Sequence, residues 1–211
     1  MQIATFPLGP LSTNCYVVYN NSEAVAVDPG GDPEQVIRFL REMKLSLSHI
    51  LLTHLHFDHT YGVAPLVLAT GAAVLASPED GWMLENEFGQ GGTWGLPEVD
   101  PYDFSPIGPG ELTILGTPCI VLATPGHTPG GLSFYFPALK AVFSGDALFY
   151  RSIGRTDFPK GNTDILLQSI REQLFSLPDD TMVFSGHGQE STIGDERKNN
   201  PYASDFSTMR P

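Results

Sequence analysis

The sequence predicts a mixed α/β protein with two β-sheets and helices on their outer faces. Short β-rich runs cluster in each half of the chain, at 2–28 and again at 112–144, and helical patterns follow some of them. The 211 residues are enough to bury one substantial core, and no linker-like segment divides them. We therefore expect one domain that covers residues 1–211.

The first half alternates predicted strands and helices. Asp32 followed by Pro33 is typical of a helix start, and apolar residues recur at helical spacing over 33–44. Gly71 is expected to end a second helix, and Ser77 to begin a third that fades near residue 88. The predicted strands are 2–7, 15–19, 24–28, 49–53 and 72–76, and the helices are 33–44, 61–69 and the segment after Ser77.

The second half begins with a long segment that has no clear period. Residues 90–110 hold five Gly, four Pro and three aromatic residues, Trp94, Tyr102 and Phe104. Such a segment is either a functional loop or a surface excursion anchored by its aromatic side chains, and both readings stay open. Phe57, Trp94 and Tyr102 line either a pocket or the core. The later predicted strands are 112–115, 119–123, 132–136, 141–144 and 182–185, and the helices are 163–175 and 193–198.

Composition excludes several classes of protein. The formal net charge of −13 opposes non-specific binding to nucleic acid, which depends on clustered Lys and Arg. Two cysteines cannot form a disulfide scaffold or a four-cysteine zinc site. No secretory signal or bilayer-spanning run is recognisable, so we expect a cytoplasmic protein that binds no membrane, with Cys15 and Cys119 as thiols. The alternative is a secreted protein with one disulfide between them.

One short motif carries most of the chemistry. His54, His56, Asp58 and His59 follow a predicted buried strand within six residues. In an extended segment residues 54, 56 and 58 point to one side, and His59 joins them if the chain turns. Imidazole and carboxylate are ligands of Zn²⁺ and similar ions, and such groups would be costly to bury without a cation. The motif therefore predicts a metal site.

Three later strands each end in a further candidate ligand. The segments Thr-Pro-Gly-His, Ser-Gly-Asp and Ser-Gly-His deliver His127, Asp146 and His187, each just after a glycine. The total of five histidines and two aspartates fits two ions that share one carboxylate better than it fits one ion. His49, which begins the strand before the motif, is expected to be structural.

These motifs, in this order, resemble the metallo-β-lactamase superfamily. The resemblance implies a four-layer αββα sandwich with two divalent ions at one edge, zinc first, with iron or manganese as alternatives. By motif position, His54, His56 and His127 would hold one ion, Asp58, His59 and His187 the other, and Asp146 would bridge them.

Narrower motifs at 145–149, 154–158 and 185–189 are similar to short bacterial relatives of glyoxalase II. That resemblance implies hydrolysis of a glutathione-type thioester, in a chain without the C-terminal helical domain of full-length glyoxalase II. No Gly-x-Ser-x-Gly elbow is present, so we expect attack by metal-bound hydroxide, oriented by Asp58. Arg151, Arg155 and Lys160 follow Asp146 closely. They predict a clamp for a small anionic thioester, with Arg155 and Asp157 as binding residues, unless those two form a structural ion pair.

Two rival activities belong to the same superfamily. Residues 154–158 are also similar to persulfide dioxygenases, which would use a single iron held by His127, Asp146 and one histidine of the first motif. A β-lactamase is disfavoured, because the lactamases nearest the superfamily's name usually place Cys at the position of Asp146.

Overall fold

The computed structural model describes residues 1–93 and 95–202, so Trp94 lies outside the described residues. Its first sheet has six strands that are adjacent in chain order, antiparallel from β1 to β3 and parallel from β3 to β6. The strands are β1 (Gln2–Leu8), β2 (Thr13–Tyr19), β3 (Glu23–Val27), β4 (Ser46–Leu51), β5 (Ala73–Ala76) and β6 (Ser105–Pro106). The helices between them are α1 (Glu34–Met43), α2 (Phe57–Thr60), α3 (Val63–Thr70), a 3-10 helix (Pro78–Glu85) and α4 (Glu87–Gln90).

The second sheet also has six strands, in the spatial order β14-β13-β10-β9-β8-β7, with only β10 and β13 parallel. Its strands are β7 (Gly110–Ile114), β8 (Thr117–Ala123), β9 (Leu132–Phe136), β10 (Ala141–Gly145), β13 (Met182–Ser185) and β14 (Ser191–Thr192). Between β10 and β13 in the chain, β11 (Leu148–Phe149) and β12 (Ser152–Ile153) form a separate two-stranded hairpin. The helices are a 3-10 turn (Pro137–Leu139), α5 (Thr163–Ser169) with a π-helical continuation (Ile170–Leu174), and α6 (Ile193–Asn199).

Three apolar clusters define four layers. The central cluster joins the facing sides of the two sheets, where the Tyr16 ring packs 5.2 Å from Phe143 and 5.4 Å from Phe184, between ring centroids. One outer cluster packs α1 and α3 on the first sheet, and the other packs α5 and its continuation on the second. The predicted αββα sandwich is confirmed. Among the helices of the described ranges, none has both the length and the apolar character needed to cross a bilayer.

Several predicted boundaries are wrong for local reasons. The helix predicted at 61–69 is α3, which begins two residues later, at Val63, because the Gly62 N–H donates to Pro29 O at 2.7 Å. The short helix α2 before it was not predicted. The first helix begins at Glu34, with Pro33 before it and the Asp32 carboxylate accepting the Glu34 N–H at 3.0 Å. The helix after Ser77 is a 3-10 helix, and the segment 90–110 contributes β6 to the first sheet.

Candidate metal centre

The seven predicted ligands meet at one edge of the sandwich. Four follow β4 in the first sheet, and the others follow β8, β10 and β13 in the second. Asp58 and His59 lie in the first turn of α2, so the extended geometry predicted for residue 58 is wrong, although its side chain still reaches the cluster. Ligand atoms within 4.8 Å of one another form three overlapping groups: His54, His56, His127; His54, His59, Asp146; and Asp58, His59, His187.

Atoms without partners mark the centre of this cluster. Within the described part of the chain, His54 Nε2, His59 Nε2 and Asp146 Oδ1 are buried and have no hydrogen-bond partner. Leaving such polar atoms unpaired in a protein interior is costly. Their convergence is what a bound cation would explain, so the residues present fit a metal centre.

The spacing between ligand atoms also fits metal binding. His127 Nε2 lies 3.0 Å from His56 Nδ1, close to the roughly 3.3 Å expected for two nitrogens on one tetrahedral Zn²⁺. Asp146 faces both sides of the cluster, with Oδ1 3.3 Å from His59 Nε2 and Oδ2 3.7 Å from His127 Nε2. This is the position expected for a bridging carboxylate.

Hydrogen bonds fix which nitrogen each histidine presents. Thr53 Oγ1 donates to Asp28 Oδ2 at 2.6 Å, so it accepts from His54 Nδ1 at 3.0 Å. His127 Nδ1 donates to Arg155 O at 2.7 Å, and His59 Nδ1 donates to Asp28 Oδ2 at 2.9 Å. In its neutral form, each of these three rings therefore turns an unprotonated Nε2 toward the centre, which is the tautomer that a metal requires.

Asp28 is the main site residue that sequence reasoning missed. Its carboxylate is buried and also accepts the Thr53 N–H at 2.8 Å, so it fixes both His59 and the start of the ligand motif. A signal was present, because Asp28 follows a buried strand just as the other aspartates and histidines do. The Pro-Gly-Gly that follows it is also typical of an ordinary turn, which concealed the role.

A second buried carboxylate holds a ligand-bearing segment in place. Asp80 is fully buried and accepts from Thr128 Oγ1 and from the Gly130 N–H, both at 2.7 Å. It thereby holds the segment that follows His127 against the 3-10 helix of the first half. Burial raises its pKa despite these bonds.

Electrostatics divides the ligands into two classes. Burial, with help from neighbouring imidazoles, lowers the pKa of His54 well below its usual value and that of His56 to about 3. These rings are neutral at pH 7 and need not lose a proton to bind an ion.

In the other class, neighbouring carboxylates favour the charged form of the imidazole. Burial disfavours charge on His59, but Asp146 and Asp58 outweigh it and raise the pKa of His59 well above normal. The pKa of His187 is raised against its burial, chiefly by its hydrogen bond with Asp58. Burial would also raise the pKa values of the Asp58 and Asp146 carboxyl groups, but the nearby His59 lowers both of them.

A cavity of about 280 Å³ opens over the cluster. Its lining combines ligands with apolar side chains, chiefly Leu11, Phe57, Phe88, Leu96 and Phe158. Phe57 therefore lines the pocket, whereas Tyr102 packs against the first sheet's outer core. His49 Nδ1 lies 3.0 Å from Ser48 Oγ and takes no part in the ligand groups.

Of the three basic residues beside the site, one reaches the cavity. Arg155 lines it, and the guanidinium forms a two-bond pair with Asp157, Nε to Oδ1 at 2.7 Å and Nη2 to Oδ2 at 2.8 Å. Arg151 instead binds Glu196 and Asp195 at 2.7 Å, and Lys160 lies over the Trp82 ring. Arg155 and Asp157 thus form the ion pair that was one of the two alternatives, and Arg151 and Lys160 do not line this cavity. Substrate binding by Arg155 stays a prediction.

Known proteins share this architecture. The family model described as the metallo-beta-lactamase superfamily matches residues 8–187. Hydroxyacylglutathione hydrolase GloC of Haemophilus influenzae is 37% identical over 207 residues, which cover 96% of this chain and 98% of that protein.

Two solved structures are similar over nearly their whole length. The BLEG-1 B3 metallo-beta-lactamase is 40% identical with a TM-score of 0.90, covering 97% of this chain and 100% of that one. TTHA1623, solved in a di-iron-bound form, is 39% identical with a TM-score of 0.85, covering 94% and 99%.

Proposed function

Because this chain belongs to the metallo-β-lactamase superfamily, we propose that it is a two-metal hydrolase of glutathione-type thioesters. The observation that carries the proposal is that seven ligand side chains converge and that three of their buried atoms lack hydrogen-bond partners in the described ranges. The relative named hydroxyacylglutathione hydrolase supports the choice of substrate. The intended substrate is a small anionic thioester, with no nucleic acid or membrane partner.

The proposed metal assignment follows the ligand groups. His54, His56 and His127 would hold one ion and Asp58, His59 and His187 would hold the other, with Asp146 between the two groups. When bound, divalent ions supply Lewis acidity and lower the pKa of a coordinated water to about 7. We propose zinc, with iron or manganese as alternatives, and the di-iron form of TTHA1623 keeps iron in contention.

The protein's own residues position the reaction. Asp58 lines the cavity and lies 3.2 Å from His187 Nε2, so it orients the attacking group from the side of the second ion. The carbonyl enters over His56 and His127, and the thiolate leaves without needing a general acid. Neither cysteine is suited to be the nucleophile, because the thiolate is the reactive form and burial disfavours it. Burial raises the pKa of Cys15 and raises that of Cys119 to about 12.

The cellular setting follows from the substrate. Glutathione thioesters form in reducing compartments, so we propose the cytoplasm. Cys15 and Cys119 are both free thiols, as such a compartment requires.

A second candidate is β-lactam hydrolysis. The BLEG-1 relative, which is 40% identical to this chain, is named a B3 metallo-beta-lactamase, and that name supports this candidate. Both reactions use attack on a carbonyl, and the leaving group differs.

Parallel assays on metal-loaded protein test the proposal. Thiol release from lactoylglutathione and ring opening of nitrocefin are measured with one preparation, with chelated protein as the control. We expect kcat/KM to be at least about a hundredfold higher for the thioester, and both signals to vanish on chelation. Comparable nitrocefin turnover, or no thiol release, would contradict the assignment.

A further inference from the structure

One side of the cavity is lined by aromatic rings. Phe88 and Phe158 pack with ring centroids 5.0 Å apart, and Phe158 lies 5.7 Å from the ring of His56. With Phe57 they form what we call the aromatic wall, which lies beside His56, over which the proposed function places the reacting carbonyl. A substrate group next to that carbonyl is therefore met by ring faces and edges.

The positive charge at the rim is already neutralised. Arg155 is the only Lys or Arg among the described residues that line the cavity. Its Nε and Nη2 both bond to Asp157, and its guanidinium lies 3.8 Å from the centroid of the Phe158 ring. The donor fork that would bind a substrate carboxylate is thus occupied from within the same loop. Glu87 adds a negative charge to the same lining.

We propose that Asp157 determines specificity by occupying Arg155, so that the enzyme selects thioesters through the aromatic wall and does not select for a charged thiol carrier. The proposal rests on the thioester hydrolase function proposed above. A carboxylate of glutathione gains little at this rim, because it must first displace Asp157. A thioester of a neutral thiol loses nothing by lacking that carboxylate.

The size of the effect follows from the exposure of the pair. The side chains of Arg155 and Asp157 are 55% and 68% exposed, so water screens their interaction. Removing the aspartate's charge should free the guanidinium for substrate, with a gain of roughly two- to fivefold, the range of exposed ion pairs.

The test compares two lactoyl thioesters, one of glutathione and one of the neutral thiol N-acetylcysteamine. For the wild-type protein we expect kcat/KM values within about threefold of each other, with little dependence on salt. In Asp157→Asn the ratio should shift toward the glutathione ester by roughly two- to fivefold, and 0.5 M salt should remove the shift. The matched control is Asp180→Asn, which breaks an exposed pair with Lys140 far from the cavity.

A binding measurement supplies a readout that does not depend on turnover. Calorimetry with S-methylglutathione should show roughly two- to fivefold tighter binding to Asp157→Asn than to Asp180→Asn. Two results would overturn this inference alone. One is a wild-type kcat/KM more than tenfold higher for the glutathione ester, with a salt-sensitive KM. The other is the same ratio of kcat/KM values for the two esters in Asp157→Asn as in the wild-type protein. If metal-loaded protein hydrolysed neither ester, the proposed function would be overturned, and this inference with it.

Discussion

Asp28 shows how one side chain outside the ligand set prepares several ligands. Its two oxygens accept from the Thr53 N–H, from Thr53 Oγ1 and from His59 Nδ1. Its backbone is in the left-handed region, with φ of 48°, which is uncommon for a residue other than glycine. The strained conformation is retained because three hydrogen bonds over-determine it.

Replacing Asp28 with Asn should weaken metal binding. An amide keeps one acceptor oxygen but turns N–H donors toward groups that already donate, so His59 loses its fixed orientation. We expect metal affinity to fall by about 10–100-fold, measured by competition with a chromogenic chelator. Asp32→Asn is the matched control, because Asn caps a helix as well as Asp does. Equal affinity in the two variants would argue against this role.

The two ligand classes should bind ions with different pH dependence. His54 and His56 have lowered pKa values and stay neutral, so the first ion displaces no proton from them above about pH 6. His59 and His187 have raised pKa values, so near pH 7 the second ion must displace their protons.

Calorimetric titration of metal-free protein in buffers of different ionisation enthalpy measures this proton release. We expect the weaker binding step to lose affinity as pH falls from 8 to 6, while the tighter step changes little. Equal proton release in both steps would show that the carboxylates do not raise the pKa of His59.

The sequence predicted the individual ligand residues but not the buried carboxylates that hold the ligand segments in place. All seven candidate ligands meet, because metal ligands are chemically distinctive and close in the chain or at strand ends. Asp28 and Asp80 were missed, because a carboxylate that accepts hydrogen bonds across the fold has no local signature. The pairing of Arg155 with Asp157 was one of two open alternatives, and only side-chain geometry decides between them.

Turns at strand ends bring the ligands of the second sheet together. β10 and β13 are parallel neighbours, so Gly145-Asp146 and Gly186-His187 leave the sheet at the same edge. A Cβ on Gly186 would lie 2.3 Å from Asp146 Oδ1 and 2.6 Å from His59 Cε1. The absence of a side chain at this position keeps the space between the ligands open.

Gly186→Ala should therefore disable the centre without unfolding the protein. The added methyl group displaces Asp146 and His59, and we expect kcat/KM to fall at least a hundredfold with less than one ion retained at the second group. Gly108→Ala is the control, because a Cβ there meets nothing within 4 Å. Metal analysis and thioester assays on both variants give the comparison, and full activity in Gly186→Ala would contradict this account.

Element prediction succeeded where apolar patterns are long. The predicted strands of both sheets are found with shifts of a few residues. The two-residue strands β6, β11, β12 and β14 were missed, because so few residues carry no periodicity. The end of the helix predicted at 163–175 is π-helical from Ile170, where Ile170 and Leu174 are buried in the outer cluster of the second sheet.

The metal centre joins the two halves of the molecule. The ligands after β4 belong to the first sheet and His127, Asp146 and His187 belong to the second, so an ion held by both groups links the sheets at one edge. Binding to the folded state alone stabilises it by mass action.

Chelation should therefore lower thermal stability. At an ion concentration about a thousandfold above Kd the gain is about 4 kcal/mol, which corresponds to roughly 8–16 °C in Tm for a protein of this size. Differential scanning calorimetry with and without chelator measures the shift. An unchanged Tm would indicate that no ion bridges the two sheets.

Whether hydrolysis depends on two bound ions is decided by measuring metal stoichiometry and turnover in one titration. Metal-free protein is titrated with Zn²⁺ while bound ions and thiol release from lactoylglutathione are followed together, and oxygen consumption is monitored with a persulfide substrate. The two-metal account predicts two ions per chain, no thiol release without metal, and full hydrolysis once both groups are filled. Thiol release by metal-free protein, or activity that requires a single iron and consumes oxygen, would contradict it.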